Sequence, residues 1–445
     1  MSSEHLHHEQ AGDHHHDAHH GPRTLPATLV APPEVLVWRT RALIVAVVFA
    51  VISLAFAFSP DGRSHMLRAY LLGVILSFSF AGGGLVLLMM QYVSGGKWGL
   101  LLRRPLEAMS RTLWLVLAMF LPLIFFMKKL YLWAAYPTVE ATENGVLHHL
   151  ITEGQAHALN FKRPMLSPTS VVVQTLIVFA ILGTFMTLLN KWSLQRDADP
   201  EAGTESSFNR WRIKFENLSG IGVLIYVIVM TVLIIDWVMA LNITWYSSVW
   251  GLKFLVGQGY AVLALGVLTV ILLSKFEPMK TILRTTEQHD LGKFLFAFVM
   301  LNIYLTFGEF LIMWSGNVPD EIPWYLDRIR GGWWYICTLD FLCHWLIPFC
   351  ILLSRSTKRN KKRMIWVTCF MLFARCVDLF WIIEPNFKDS AANFHLGGGT
   401  LAYLTVPVAV VGLWAAYYLT QLAARPLVNV NDPHTEEILE PEHAH

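Results

Sequence analysis

The chain has 445 residues, of which 55% are hydrophobic and only 15% charged, and its mean hydropathy is +0.47. An ordinary soluble domain carries about 25% charged residues, so this composition excludes one and predicts an all-α polytopic membrane protein. The formal net charge is only +2, and no basic stripe is interleaved with aromatics, so nothing points to a nucleic-acid partner.

Residues 1–38 include "EHLHHEQAGDHHHDAHHG". This stretch has too few apolar residues to build a fixed metal site around, so a disordered, solvated tail is expected. No cleavable signal peptide is expected, because the first apolar segment follows about 40 polar residues instead of a short n-region. From residue 39 to 422 apolar stretches recur, each long enough to cross about 30 Å of hydrocarbon. About ten spans are predicted, at 41–59, 67–92, 110–130, 169–190, 218–241, 250–274, 291–314, 333–354, 364–383 and 399–422. Residues 423–445, ending "NDPHTEEILEPEHAH", read as a second polar tail.

The loops after even-numbered spans hold "GGKWGLLLRRPLEAMSR", "NKWSLQRDADPEAGTESSFNRWRIK", "SKFEPMKTILRTTEQHDLGK" and "SRSTKRNKKR". The opposite loops hold about half as many Lys and Arg, so the first set is expected on the cytoplasmic side, with both termini. Two groups of four spans, two to five and six to nine, show a faint parallel repeat, and internal duplication is common in membrane folds. The fifth span ends "IIDWVMALN" and the ninth carries "RCVDLFWIIEPN", while "KKLYLWAAYP" in the third answers "GEFLIMWSGNVP" in the seventh. The expected fold is two four-helix bundles flanked by the first and last spans. Gly73, Ser77, Ala81 and Gly84 place a small-residue face on the second span, which lets helix backbones approach closely.

Ionisable residues inside membrane helices are costly and are functional candidates by default. Asp236, Glu309 and Asp378 fall late in odd-numbered spans, hence in the expected outer half, where Lys128, Lys129 and Lys253 also lie. Asn302, Thr306 and Glu309 share one helix stripe. Arg375 and Asp378 are spaced to pair as i and i+3, either as a structural ion pair or as part of a path. Asp340 and His344 are spaced i and i+4, and Lys253 and Tyr260 share a face. Asp236 and Glu309 have no oppositely charged neighbour on their own helix, so another helix must satisfy them or they hold a proton. These residues form a candidate proton path, with Ser77, Ser79, Tyr226, Gln258 and Tyr304 as inner links. The five cysteines, Cys337, Cys343, Cys350, Cys369 and Cys376, form no CxxC or CxxCH pattern and read as small apolar packing residues. His344 is equally readable as a satisfied core histidine. No second mid-membrane histidine is available as an axial ligand, so no bound haem, metal or other intrinsic cofactor is expected.

The phrases "DWVMALNITWYSSVWG", "FGEFLIMWSGNVPDEIPWY", "RSTKRNKKR" and "FARCVDLFWIIEPNF", in that order, resemble the F subunits of bacterial alternative complex III. These belong with the polysulfide-reductase-type, NrfD-like membrane subunits. The resemblance covers roughly residues 40–420 and implies ten helices in two four-helix bundles. It further implies a bacterial inner-membrane quinol:electron-acceptor oxidoreductase built with several partners. These are a homologous NrfD-like membrane subunit, an iron–sulfur subunit resembling molybdopterin oxidoreductases, multihaem cytochromes c, small membrane anchors and lipids. Electrons would pass to a cytochrome c or to a terminal oxidase. The haem c and iron–sulfur clusters would sit in those partners, and quinol or quinone would be the small molecule handled. Asp236, Glu309, Arg375 and Asp378 stand inside the matching phrases, although Gly308-Glu309 replaces a Ser-Gln pair of the family pattern.

The leading expectation is a membrane subunit without its own redox centre that contributes a proton path. One alternative is a subunit with its own outer-face quinol site, in which Asp236 or His344 takes the released proton. In that version His148, His149 and His157 are secondary candidates for headgroup contact. Another alternative is a free-standing secondary transporter, against which stands the lack of paired Gly/Pro-broken helices.

Overall fold

The computed structural model describes residues 25–432 except 320, 393, 396 and 430, so most of both polar tails lies outside the described residues. Among the described residues every regular element is helical, and ten helices are long and apolar enough to cross a membrane. Spans one to five are Glu34–Phe58, Pro60–Ser94, Trp98–Phe125, Pro168–Asp197 and Glu205–Leu241. Spans six to ten are Trp250–Leu273, Thr285–Gly316, Trp334–Leu353, Lys361–Asn386 and Gly398–Ala423. The chain is thus a multi-pass membrane protein by length and apolarity. Below, the odd-loop end means the end carrying the connections after odd-numbered spans, and the even-loop end is the opposite one.

Local chemistry sets several of the starts. Ser59 and Ser167 each accept a backbone N–H of the first turn, with Pro60 and Pro168 as the first helical residues. A hydroxyl cap satisfies an otherwise orphaned donor, and proline at that position has no N–H to leave unpaired. Thr204 and Asn360 cap spans five and nine in the same way.

Span two is the centre, since the whole of its apolar window is buried, against 11% for span one. It packs on spans three, five, six, nine and ten, and span one rests on span ten. Small residues make the approaches. A Cβ on Gly73 would lie 2.9 Å from Val410 Cβ, and one on Gly84 would lie 2.8 Å from Met109 Cβ. Spans two and four each pack against three and five, while spans six and eight each pack against seven and nine.

Several helices are longer than the apolar pattern predicts. Span three begins at Trp98 although "LLRRPLEAMSR" reads as a basic loop. Its arginines are tolerated there because carboxylates from elsewhere pair with them: Arg104 with Asp197, and Arg103 with Asp432. Lys128 and Lys129 lie beyond span three, in a short helical turn, Met127–Leu130. Span one starts inside the predicted tail, at Glu34. The start of the second tail is packed too, with Leu427 buried and its N–H bonded to the Leu29 carbonyl at 2.8 Å. Span eight consists of helices Trp334–Asp340 and Ile347–Leu353 joined by one π turn, Phe341–Leu346. Pro348 has no N–H to give the His344 carbonyl, which removes one α-type bond where the turn widens.

The tight contacts of span two generate a stability prediction. Gly73→Val should lower the thermal unfolding midpoint of the detergent-solubilised protein, with an overpacking cost of about 1–3 kcal/mol. Gly220→Ala, whose Cβ meets nothing within 4 Å, should leave that midpoint unchanged or raise it.

Candidate functional site

Spans six to nine bring most of the predicted polar residues into two neighbouring clusters. In the first, Lys253 Nζ donates to Glu309 Oε2 at 3.0 Å, and Ser247 Oγ donates to Glu309 Oε1 at 2.6 Å. Both charged side chains are buried. A cross-helix cation thus satisfies the carboxylate that has no partner on its own helix. The ammonium also lies 5.4 Å from the Trp250 ring centroid and 5.9 Å from that of Trp381, where ring quadrupoles add attraction. A cleft lined by Tyr246, Ser247, Val249, Met313 and Glu321 opens on Glu309 from the odd-loop end.

The second cluster contains Asp340, His344, Arg375 and Asp378. Arg375 donates to Asp378, one turn along span nine, as their spacing predicts. His344 Nδ1 stands 3.8 Å from Asp340 Oδ1 and 4.0 Å from Asp378 Oδ1. Those separations exceed direct hydrogen bonding, and a small side-chain rotation or one water molecule closes each. Tyr260 stands edge-on to His344 with ring centroids 4.4 Å apart. The Arg375 guanidinium lies 4.9 Å from the Phe254 ring centroid and against Gly257, where a Cβ would fall 2.6 Å from Nη1. Tyr260 Oη, Asp340 Oδ1, His344 Nε2 and two Arg375 nitrogens, Nε and Nη2, are buried without a hydrogen-bond partner. Lys253 is within electrostatic reach of both Asp340 and His344, which links the two clusters.

Asp340, His344 and Asp378 offer three metal-ligand atoms within 4.8 Å of one another. By ligand type they could hold a cation, but the Arg375 charge already neutralises Asp378, and a divalent ion there would meet it at close range. The arrangement suits proton exchange better. A carboxyl, an imidazole and a phenol touch or nearly touch in a site where unmade hydrogen bonds are expensive.

The remaining candidates lie elsewhere. Asp236 is buried in span five, in the other group of four spans, with Oδ2 unpartnered. Tyr131 is its electrostatic neighbour and donates to the Trp237 carbonyl at 2.7 Å; burial and the Asp236 charge hold that phenol well above its usual pKa. Asn302 is buried on the Glu309 face of span seven. Ser77 and Ser79 bond to backbone carbonyls of their own helix, and Tyr226 donates to Gln258 Oε1 at 2.8 Å. Tyr304, His148, His149 and His157 are exposed.

Sequence reading missed two further networks. At the odd-loop end Glu384 is fully buried and receives Arg68 at 3.0 Å, Ser390 Oγ at 2.5 Å and Tyr403 Oη at 2.5 Å, with His65 Nε2 at 3.2 Å. At the even-loop end Arg104 donates to Glu107 at 2.7 Å, and Ser193 Oγ gives Glu107 a second bond at 2.6 Å. His65 and Arg68, spaced i and i+3 beside the start of an apolar run, were the available signal for the first network. No helical spacing links Arg104 to Asp197 or Arg103 to Asp432. Among known protein families and curated proteins, none matches this chain.

The Lys253–Glu309 pair yields a direct test. Lys253→Met should destabilise the protein by about 3–5 kcal/mol, because it leaves a buried carboxylate uncompensated. Lys253→Met combined with Glu309→Met should recover most of that loss in thermal unfolding. If the double variant falls as far as the single one, charge compensation is not what the pair supplies.

Proposed function

We propose that this chain is an inner-membrane subunit of a bacterial quinol:electron-acceptor oxidoreductase and that it contributes a proton-conducting path. The observation that carries the path is the juxtaposition of Glu309–Lys253 with Asp340, His344, Arg375, Asp378 and Tyr260 across four adjacent spans, with an open cleft at Glu309. A proton entering or leaving at that cleft meets Glu309 first, then the Asp340–His344–Asp378 group, then Tyr260. Tyr226 and Gln258 continue buried polarity toward the even-loop end. Asp236 belongs to a separate buried position in this reading.

The assignment to a quinol-oxidising assembly rests on the sequence resemblance to the F subunits of alternative complex III. The equal pairing of spans two to five and of spans six to nine supports two four-helix bundles, as that family implies. Haem c and iron–sulfur clusters then reside in partner subunits, beside a homologous membrane subunit and small anchors. Basic even-loop segments set the termini on the cytoplasmic side.

A second reading has one observation in its favour. The cleft beside Glu309 combines a carboxylate, Ser247 and Tyr246, groups that suit a hydroxylated ring such as a quinol head. There Glu309 would accept the proton released on oxidation.

Purification from native membranes separates both readings from a free-standing transporter, which would come out alone and without a haem spectrum. In the purified complex reconstituted into liposomes, Asp340→Asn should reduce proton movement at least several-fold while quinol oxidation continues. Glu309→Gln decides between the first two readings. Lost proton movement with intact turnover supports the path, whereas collapse of quinol oxidation itself places a quinol at the cleft.

A further inference from the structure

The even-loop end holds an excess of buried positive charge that the proton path does not use. Among the described residues, buried Arg103, Arg104 and Arg196 and half-buried Arg111 and Arg425 gather there against Glu107, Asp197 and Asp432, two more positive than negative charges. Burying like charges without equal compensation is expensive, so a protein that keeps the excess has a use for it.

Of these, Arg103, Arg196 and Asp432 line a cleft between the ends of spans two to five and the stretch after span ten. Tyr92 and Phe215 stack at 4.2 Å in its wall, with the Arg103 and Arg196 guanidinium groups each 5.2 Å from one of the two rings. Asp432 bridges both arginines, Arg196 at 2.9 Å. Gln91 accepts from Arg103 Nε at 3.0 Å. One carboxylate does not saturate two guanidinium groups. Arg196 is 5% exposed, and its Nε and Nη2 have no hydrogen-bond partner, nor does the buried Tyr92 Oη. Arg212 lines the same cleft from its exposed side, 3.8 Å from Glu216.

We propose that this cleft binds a phosphate-type anion, which would accept from the orphaned Arg196 nitrogens and Tyr92 Oη. Planar guanidinium groups match phosphate oxygens in pairs. The position between helix ends suits the phosphodiester of an anionic lipid headgroup with its acyl chains along the helices. A free phosphate has the same recognition chemistry, and the test distinguishes the two.

The full chain would be placed in nanodiscs of phosphatidylcholine alone, of phosphatidylcholine with increasing phosphatidylglycerol, and of phosphatidylcholine with millimolar inorganic phosphate. Backbone hydrogen exchange over residues 205–216, which include Phe208, Trp211, Arg212, Phe215 and Glu216 of the cleft wall, is read against residues 250–273. Phosphatidylglycerol should slow exchange at the cleft, and Arg212→Gln and Arg196→Gln should each raise the mole fraction needed for half-protection about 5-fold. Arg212 is exposed, so its variant keeps the fold even if Arg196→Gln loses it. Protection by inorganic phosphate in neutral discs supports the site and assigns it to the free anion. The proposal is overturned if neither anion protects the cleft, or if Arg212→Gln is protected as well as the unchanged chain. It is overturned equally if protection appears only after removal of residues 433–445, which would make the chain's own acidic end the occupant.

Discussion

A charge buried among membrane helices must find its opposite, and that requirement organises this protein more than any apolar contact does. Leaving one buried ion without its partner costs about 3–5 kcal/mol, a large share of what holds a folded domain together. The chain meets the requirement across helices. Glu309 on span seven is satisfied by Lys253 on span six, Glu384 on span nine by Arg68 on span two, and Asp197 on span four by Arg104 on span three. Each pair fixes the relative height and rotation of two spans, which apolar packing against apolar packing leaves loosely determined. Asp236 differs, since no ion pair reaches it among the described residues and its charge acts on the Tyr131 phenol.

Close backbone approach sets the distances over which these pairs form. Span two has neighbours on all sides because its glycines admit them: Val410 against Gly73, Tyr226 against Gly82, Val262 against Gly83 and Met109 against Gly84. Lipid gives no hydrophobic drive for helix association, so such small-residue contacts and interhelical polar bonds hold the spans together. Gly257 does the same for the candidate site, giving the Arg375 guanidinium room beside span six.

Much of this was legible in the sequence. The ten spans follow from apolar length, and Arg375–Asp378 follows from helical spacing. The i,i+4 relation of Asp340 and His344 survives a π turn only as a 3.8 Å approach. What spacing cannot show is which helix lies opposite, so Lys253–Glu309 was foreseen as two separate candidates and not as a pair. The basic stretch before residue 110 was misjudged for the same reason. Its arginines look like a loop until Asp197 and Asp432, distant in sequence, are seen to cover them. The members of the proposed proton path are legible in the sequence by residue type and by their depth within the apolar spans.

The placement of span one carries a consequence for how the protein is made. Span one rests on span ten, where Ser53 Oγ donates to Thr405 Oγ1 at 3.0 Å across a separation of 352 residues. At roughly 5–20 residues per second, the ribosome needs tens of seconds to deliver the second member of that pair after the first. Throughout that interval span one lacks the span-ten face it packs on, and its largely unburied apolar surface suits residence in lipid. The central helices can assemble in that time, so span one, made before them, docks on span ten after them.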